Sequence, residues 1–198
     1  MVKTSKKDSC TEELIKATAR RMFFKDGKLH ATTQEIADEA GVNRTLLNYY
    51  FRSRDSLFDE VFQEAQYEMS HALDQVIEST QLFEDKIGSL IDTFLNLAIE
   101  YPYREVFIVT EINRHAEHMK KMKKDVKLKK FLAEIENEME KGTVRKMDPR
   151  QFLMNLFSLM AYPLIAGSIY KTLFNAKDAD YSELMKERKK LICDMIFN

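Results

Sequence analysis

Between Thr32 and Phe51 the chain reads TTQEIADEAGVNRTLLNYYF, and few backbones accommodate that order. Thr32 and Glu35 form an S/T-x-x-E capping box, opening a helix whose inward face carries Ile36, Ala37 and Ala40. Gly41 ends that helix, and Asn43 can cap a short one from Arg44 to about Tyr50. Counted from Thr33 as position one, Ala37 falls at five, Gly41 at nine, Val42 at ten and Leu47 at fifteen. A small residue at five lets two helices approach closely, and glycine at nine takes a positive φ without a Cβ clash. Apolar residues at ten and fifteen wedge the second helix onto the first. Together these offsets describe a helix-turn-helix. A plain helical hairpin would use the same glycine to end a helix, but it leaves the basic residues around the motif unexplained.

The remainder is also helical in pattern. The chain has 5 glycines and 3 prolines in 198 residues and no strand-like alternation, so an all-α protein is expected. The first ten residues, with Lys3, Lys6 and Lys7, read as a flexible basic arm. A helix follows from about Thr11 to Lys25 and stops at Gly27. Ser53 can cap a long helix whose apolar stripe runs through Leu57, Phe58, Val61, Phe62, Ala65, Met69, Leu73 and Val76. Further helices are expected at about 82–100, 102–118, 124–141, 148–175 and 181–197, with Asp148-Pro149 as a start signal. The expected division is 1–54 for a helix-turn-helix domain with its arm and 55–198 for a larger helical domain. No window is apolar enough to span a membrane, and no leader-like segment opens the chain. Cys10 and Cys193 lie at opposite ends and make no disulfide or metal pattern, so a cytoplasmic protein is expected.

Net charge is −1, which alone argues against nucleic acid as a partner. Its distribution argues the other way. Residues 1–54 carry eleven Lys and Arg against seven Asp and Glu, so a basic head sits on an acidic body.

The stretch TTQEIADEAGVNRTLLNYYFRSRDSLFDEV resembles the DNA-binding segment of the tetracycline-repressor (TetR) family of bacterial transcriptional regulators. The likeness covers about 30 residues, and nearly 50 with the preceding helix. It implies an N-terminal three-helix DNA-binding domain joined to a C-terminal bundle for ligand binding and dimerisation. Family members commonly carry Leu-Tyr where this chain has Leu47 and Asn48. The core leucine is kept, so the departure bears on operator preference rather than fold.

On a helix Thr45, Asn48 and Tyr49 share one face, while Leu47 points back towards the first helix. Arg44 stands near the helix N-terminus, which enters the major groove. Arg44 could bond a guanine edge and Asn48 an adenine, with Thr45 and Leu46 packing on thymine methyls. Tyr49 reaches a phosphate through its hydroxyl. Asn43 caps the helix, and Thr33, the Ser53 amide and Arg54 correspond to the family's phosphate contacts at helix N-termini. The partners so implied are double-stranded operator DNA, a second copy docked through the last two helices, and a small-molecule effector, with no membrane.

Candidates for an apolar effector pocket are Phe83, Phe94, Phe107, Met122, Phe157 and Met160, although Met and Phe at helical spacing fill cores more often than cavities. His115 and His118 have i, i+3 spacing without a further ligand and read as an exposed pair. No catalytic arrangement has credible spacing, and neither a metal nor a cofactor is expected. Two other functions fit the same motif. One is a TetR-like nucleoid or cell-division protein, and the other is a helical carrier or enzyme with a vestigial motif.

Overall fold

The structure is a computed structural model in which residues 6–114 and 126–197 are described. Lys3, Met122, His115 and His118 lie outside the described residues. All the regular elements among the described residues are helices. α1 (Lys6–Arg20) runs into a π-helical turn (Arg21–Lys25), followed by α2 (Thr33–Glu39), α3 (Arg44–Phe51) and α4 (Arg54–Ile77). α5 (Phe83–Glu100), α6 (Arg104–Arg114), α7 (Val126–Lys141) and α8 (Pro149–Ile165) follow. α9 (Gly167–Leu173), α10 (Asp178–Lys186) and α11 (Arg188–Phe197) complete the chain.

The first helix begins earlier than its apolar pattern suggests, so Lys6 and Lys7 belong to α1 rather than to a flexible arm. Its end widens into the π-turn, which carries Met22, Phe23 and Phe24 into the core together. A regular helix would splay three consecutive side chains over more than half its circumference.

Apolar side chains segregate into two cores. The first joins Ile15, Phe23, Phe24, Ile36, Leu47 and Phe51 to Leu57, Phe58 and Phe62 of α4. Phe107 of α6 is inserted into it, with ring centroids 4.3 Å from Phe58 and 4.9 Å from Phe24. The second core gathers Phe83, Ile87, Ile91 and Phe94 of α5, Phe131 and Ile135 of α7, Leu156 and Met160 of α8, and Ile192 of α11. α4 serves both, contributing residues through Ala65 to the first core and Met69 to the second. The expected division after residue 54 therefore falls inside the first core. Lys86 ties α5 to α7 beneath the second core: its Nζ donates to Glu134 Oε1 at 2.7 Å and to the Ile77 carbonyl at 3.1 Å.

The expected helix over 148–175 is two helices. Pro163 lies inside α8 and supplies no N–H to the Leu159 carbonyl four residues back. The Arg188 guanidinium fills that place, its Nη2 donating to the Leu159 oxygen at 2.7 Å. Tyr181 donates its hydroxyl to the Pro163 carbonyl at 2.6 Å. α8 stops at Ala166, and α9 leaves at 67° to it. The last expected helix, 181–197, begins at Asp178 and breaks at Glu187 into α10 and α11.

Candidate DNA-binding surface

The helix-turn-helix is assembled from local interactions. Thr32 and Glu35 exchange the two bonds of the capping box, Glu35 N donating to Thr32 Oγ1 at 3.2 Å and Thr32 N to Glu35 Oε2 at 2.7 Å. The bonds from the Thr32 backbone and hydroxyl hold the Glu35 carboxyl below its usual range. Gly41 turns the chain at φ +67°, and the Val42 amide donates to the Ala37 carbonyl at 3.0 Å. An added Cβ at Gly41 would meet no atom within 4 Å, so the backbone angle alone selects glycine there. Asn43 caps α3, its Oδ1 accepting from the Leu46 amide at 2.8 Å. Ala37 and Leu47 are wholly buried against one another's helices, and Val42 packs at the margin of the same core.

α3 then divides by face. Leu47 and Phe51 face inward, and Tyr50 packs half-buried beside them. Arg44, Thr45, Asn48 and Tyr49 face solvent, Tyr49 being 77% exposed, and Leu46 lies between the two faces. The outer face thus presents a guanidinium, a hydroxyl, an amide and a phenol, all capable of hydrogen bonding and none of them committed as a cap. Among the described residues no three His, Cys, Asp or Glu side chains are grouped to hold a metal.

Of three positions assigned to phosphate contact, one side chain is buried and two make bonds within the domain. Thr33 is buried, leaving the exposed cap to Thr32. The Ser53 amide donates to the Phe51 carbonyl, and its hydroxyl caps α4 by accepting from the Ser56 amide at 3.1 Å. Arg54 folds back across the α1–α2 connection, its Nε donating to the Ala31 carbonyl at 2.8 Å and its Nη2 to the Leu29 carbonyl. Its guanidinium also lies 5.2 Å from the Phe58 ring centroid. Ser53 and Arg54 sit where the chain enters α4, and backbone groups of the domain itself are their partners. Arg52 is an exposed cation that pattern reading passed over. It holds φ +50° in the α3–α4 link, and the FRSR run after the aromatics was its signal.

The candidate pocket residues among the described ones are spread over both cores. Phe83, Phe94 and Met160 lie in the second core, Phe107 in the first, and Phe157 at the edge with 38% exposure. A cleft of about 380 Å³ opens elsewhere, between the π-turn, the α5–α6 corner and α8–α10.

Comparison with known proteins agrees with this geometry. Residues 15–61 match the family described as bacterial regulatory proteins, tetR family. The whole chain is similar to the ketosteroid transcriptional regulator KstR2 of Mycobacterium tuberculosis, with TM-score 0.68 and 14% identity over 100% of this chain and 97% of that one. It is also similar to the fatty acid degradation regulator FadR of Bacillus halodurans, with TM-score 0.63 and 18% identity over 97% of each chain. A TetR-family transcriptional regulator from Haemophilus influenzae gives TM-score 0.63 and 13% identity over 98% of this chain and 100% of that one. These likenesses establish the fold, and the matched segment runs from within α1 to the first turns of α4. Residues 15–61 are thus a TetR-family DNA-binding segment, and the chain that carries them has the fold of the TetR-family regulators throughout.

Proposed function

We propose that the protein is a cytoplasmic repressor that binds a palindromic operator as a homodimer and responds to a small-molecule effector. The observation that carries this reading is the division of α3, which buries Leu47 and Phe51 while exposing Arg44, Thr45, Asn48 and Tyr49 on one side. Arg44 bonds a guanine edge, Asn48 bonds an adenine, and Thr45 and Leu46 pack on thymine methyls. Tyr49 and Arg52 reach phosphates, and Thr33 and Arg54 contribute through backbone N–H groups at helix starts rather than through their side chains.

A single short helix distinguishes too few bases for one genomic site, and two-fold pairing of half-sites supplies the rest. The dimer forms through α8 and α11, where Met154, Tyr162, Leu191 and Met195 stand exposed in the single chain. Apolar side chains of that size, exposed on two helices that pack together, fit a surface that a second copy covers. The effector acts by changing the separation of the two α3 helices, which must span about one helical turn of DNA, roughly 34–36 Å. Phe107, set in the core of the head from a helix of the body, supports such coupling. Two structures similar to this one are regulators named for fatty acid degradation and ketosteroids, which supports an apolar effector.

Selection of binding sites from a random duplex library tests the reading. Recovered sites are expected to be inverted repeats with half-site centres about 10 base pairs apart or a multiple of that. Recovery of unrelated sequences with no repeat would sink the operator reading.

A further inference from the structure

We propose that the cleft between the π-turn, the α5–α6 corner and α8–α10 is the effector site, and that it takes an apolar molecule bearing one negative charge. The inference rests on the reading of the protein as an effector-responsive regulator, and it goes further by naming the site and the ligand class.

The cleft encloses about 380 Å³, within the usual range of roughly 300–1,000 Å³ for small-molecule sites. Ile99, Pro102, Val106, Leu164, Ile165 and Met185 give it an apolar wall. Its charged lining is Lys25, Lys171 and Asp178, which leaves one positive charge in excess. Lys171 donates to Asp178 at 2.7 Å, and that bond raises the Lys171 pKa. Lys25 has no ion-pair partner among the described residues. One uncommitted ammonium beside an apolar wall suits a ligand with a single anionic group and a hydrocarbon body. Tyr103, Ser168 and Ser182 add hydroxyls that can orient the anionic end.

Lys25 belongs to the head, and α8–α10 belong to the body. Tyr103 lines the cleft and is fastened to the head: its amide donates to the Phe24 carbonyl at 2.9 Å. Its ring also lies against Gly27, where an added Cβ would come within 3.0 Å of it and where φ is +70°. An occupant that displaces Tyr103 therefore acts on the α1–α2 turn directly, and through it on α2 and α3. A ligand bridging Lys25 to α9–α10 has different contacts in two head orientations, which is the requirement for shifting a conformational equilibrium.

The test is titration calorimetry of the full chain with sodium octanoate and with 1-octanol, a pair that differs in charge. Wild type is compared with Lys25→Gln, with the cleft-filling Val106→Trp, and with Ser168→Phe, which fills from an exposed helix position and spares the core. Octanoate is expected to bind wild type more tightly than octanol. Lys25→Gln should weaken octanoate about threefold, as for an exposed ion pair, and leave octanol unchanged. Both filling variants should weaken octanoate by about tenfold or more, the effect of removing roughly 1.4 kcal/mol. No octanoate binding to wild type, or undiminished binding to both filling variants, overturns the assignment. Duplex DNA binding of the same preparations at low salt separates the two failures. DNA binding without octanoate binding removes the cleft assignment alone, whereas loss of DNA binding in wild type removes the regulator reading beneath it.

Discussion

The Nε of Arg54 lies 2.8 Å from the carbonyl oxygen of Ala31, so the first side chain of α4 closes the connection between α1 and α2. A second donor on the same guanidinium serves Leu29, and the rings of Phe23 and Phe58 flank it. Hydrogen bonds from a charged group to partly buried carbonyls contribute about 1.5–3 kcal/mol each, and the 30% exposure of this side chain lowers that figure. Arg54→Ala is expected to destabilise the protein by about 2–3 kcal/mol in urea unfolding. Arg54→Lys should recover little, because an ammonium cannot serve two carbonyls as a fork does. An unchanged midpoint for Arg54→Ala would show the side chain free for phosphate after all.

Gly41 offers a cleaner separation of backbone from packing. Since an added methyl touches nothing, Gly41→Ala is expected to cost only the left-handed conformation, about 1–2 kcal/mol. Gly41→Asn should cost less, because asparagine visits that region more readily. Equal losses for the two, measured by thermal unfolding, would mean that something other than φ selects glycine.

The ion pair between Arg20 of α1 and Glu68 of α4 should appear in the acid limb of stability. Bonding from Arg20 depresses the Glu68 carboxyl below its usual range. A depressed carboxylate contributes stability above its unfolded pKa of 4.5 and loses it as pH falls through the lower folded value. Glu68 is 45% exposed, so the contribution is about 0.5–1 kcal/mol. Unfolding free energies of wild type and Glu68→Gln should differ by that amount at pH 7 and converge below pH 4. A difference that persists at pH 3 would point to packing rather than charge.

Arg188 and Pro163 form a compensating pair around the Leu159 carbonyl. Arg188→Met leaves that oxygen without its donor and should destabilise by about 1–3 kcal/mol. Pro163→Ala supplies a helical N–H to the same oxygen, so the loss on Arg188→Met should shrink in the Pro163→Ala background. Strict additivity in the double-mutant cycle would separate the two residues.

Local features of the motif were legible because each is settled within a few residues. The Thr32–Glu35 box, the Gly41 turn and the Asn43 cap act over three or four positions, and the burial of Leu47 follows from helical period. Arg54 was not legible as a clamp, since its acceptors lie 23 and 25 residues away and a basic residue at a helix start also fits a phosphate. Phe107 likewise has a composition signal for core but none for which core. The bend after α8 was open to reading: Pro163 and Gly167 stand four residues apart in an otherwise apolar run, which masked them as helix interior. The cleft is lined by residues from six elements and the α5–α6 corner, so no spacing in the chain announces it.

The central claim is that the exposed face of α3 distinguishes base sequence. Fluorescence anisotropy with a labelled fragment from upstream of the protein's own gene, set against a scrambled duplex of equal length, measures it directly. Asn48→Ala and Arg44→Ala are each expected to lose about 1–3 kcal/mol on the native fragment. On the scrambled duplex Asn48→Ala should bind as wild type does. Equal losses on both duplexes, or none on either, would contradict base reading by α3.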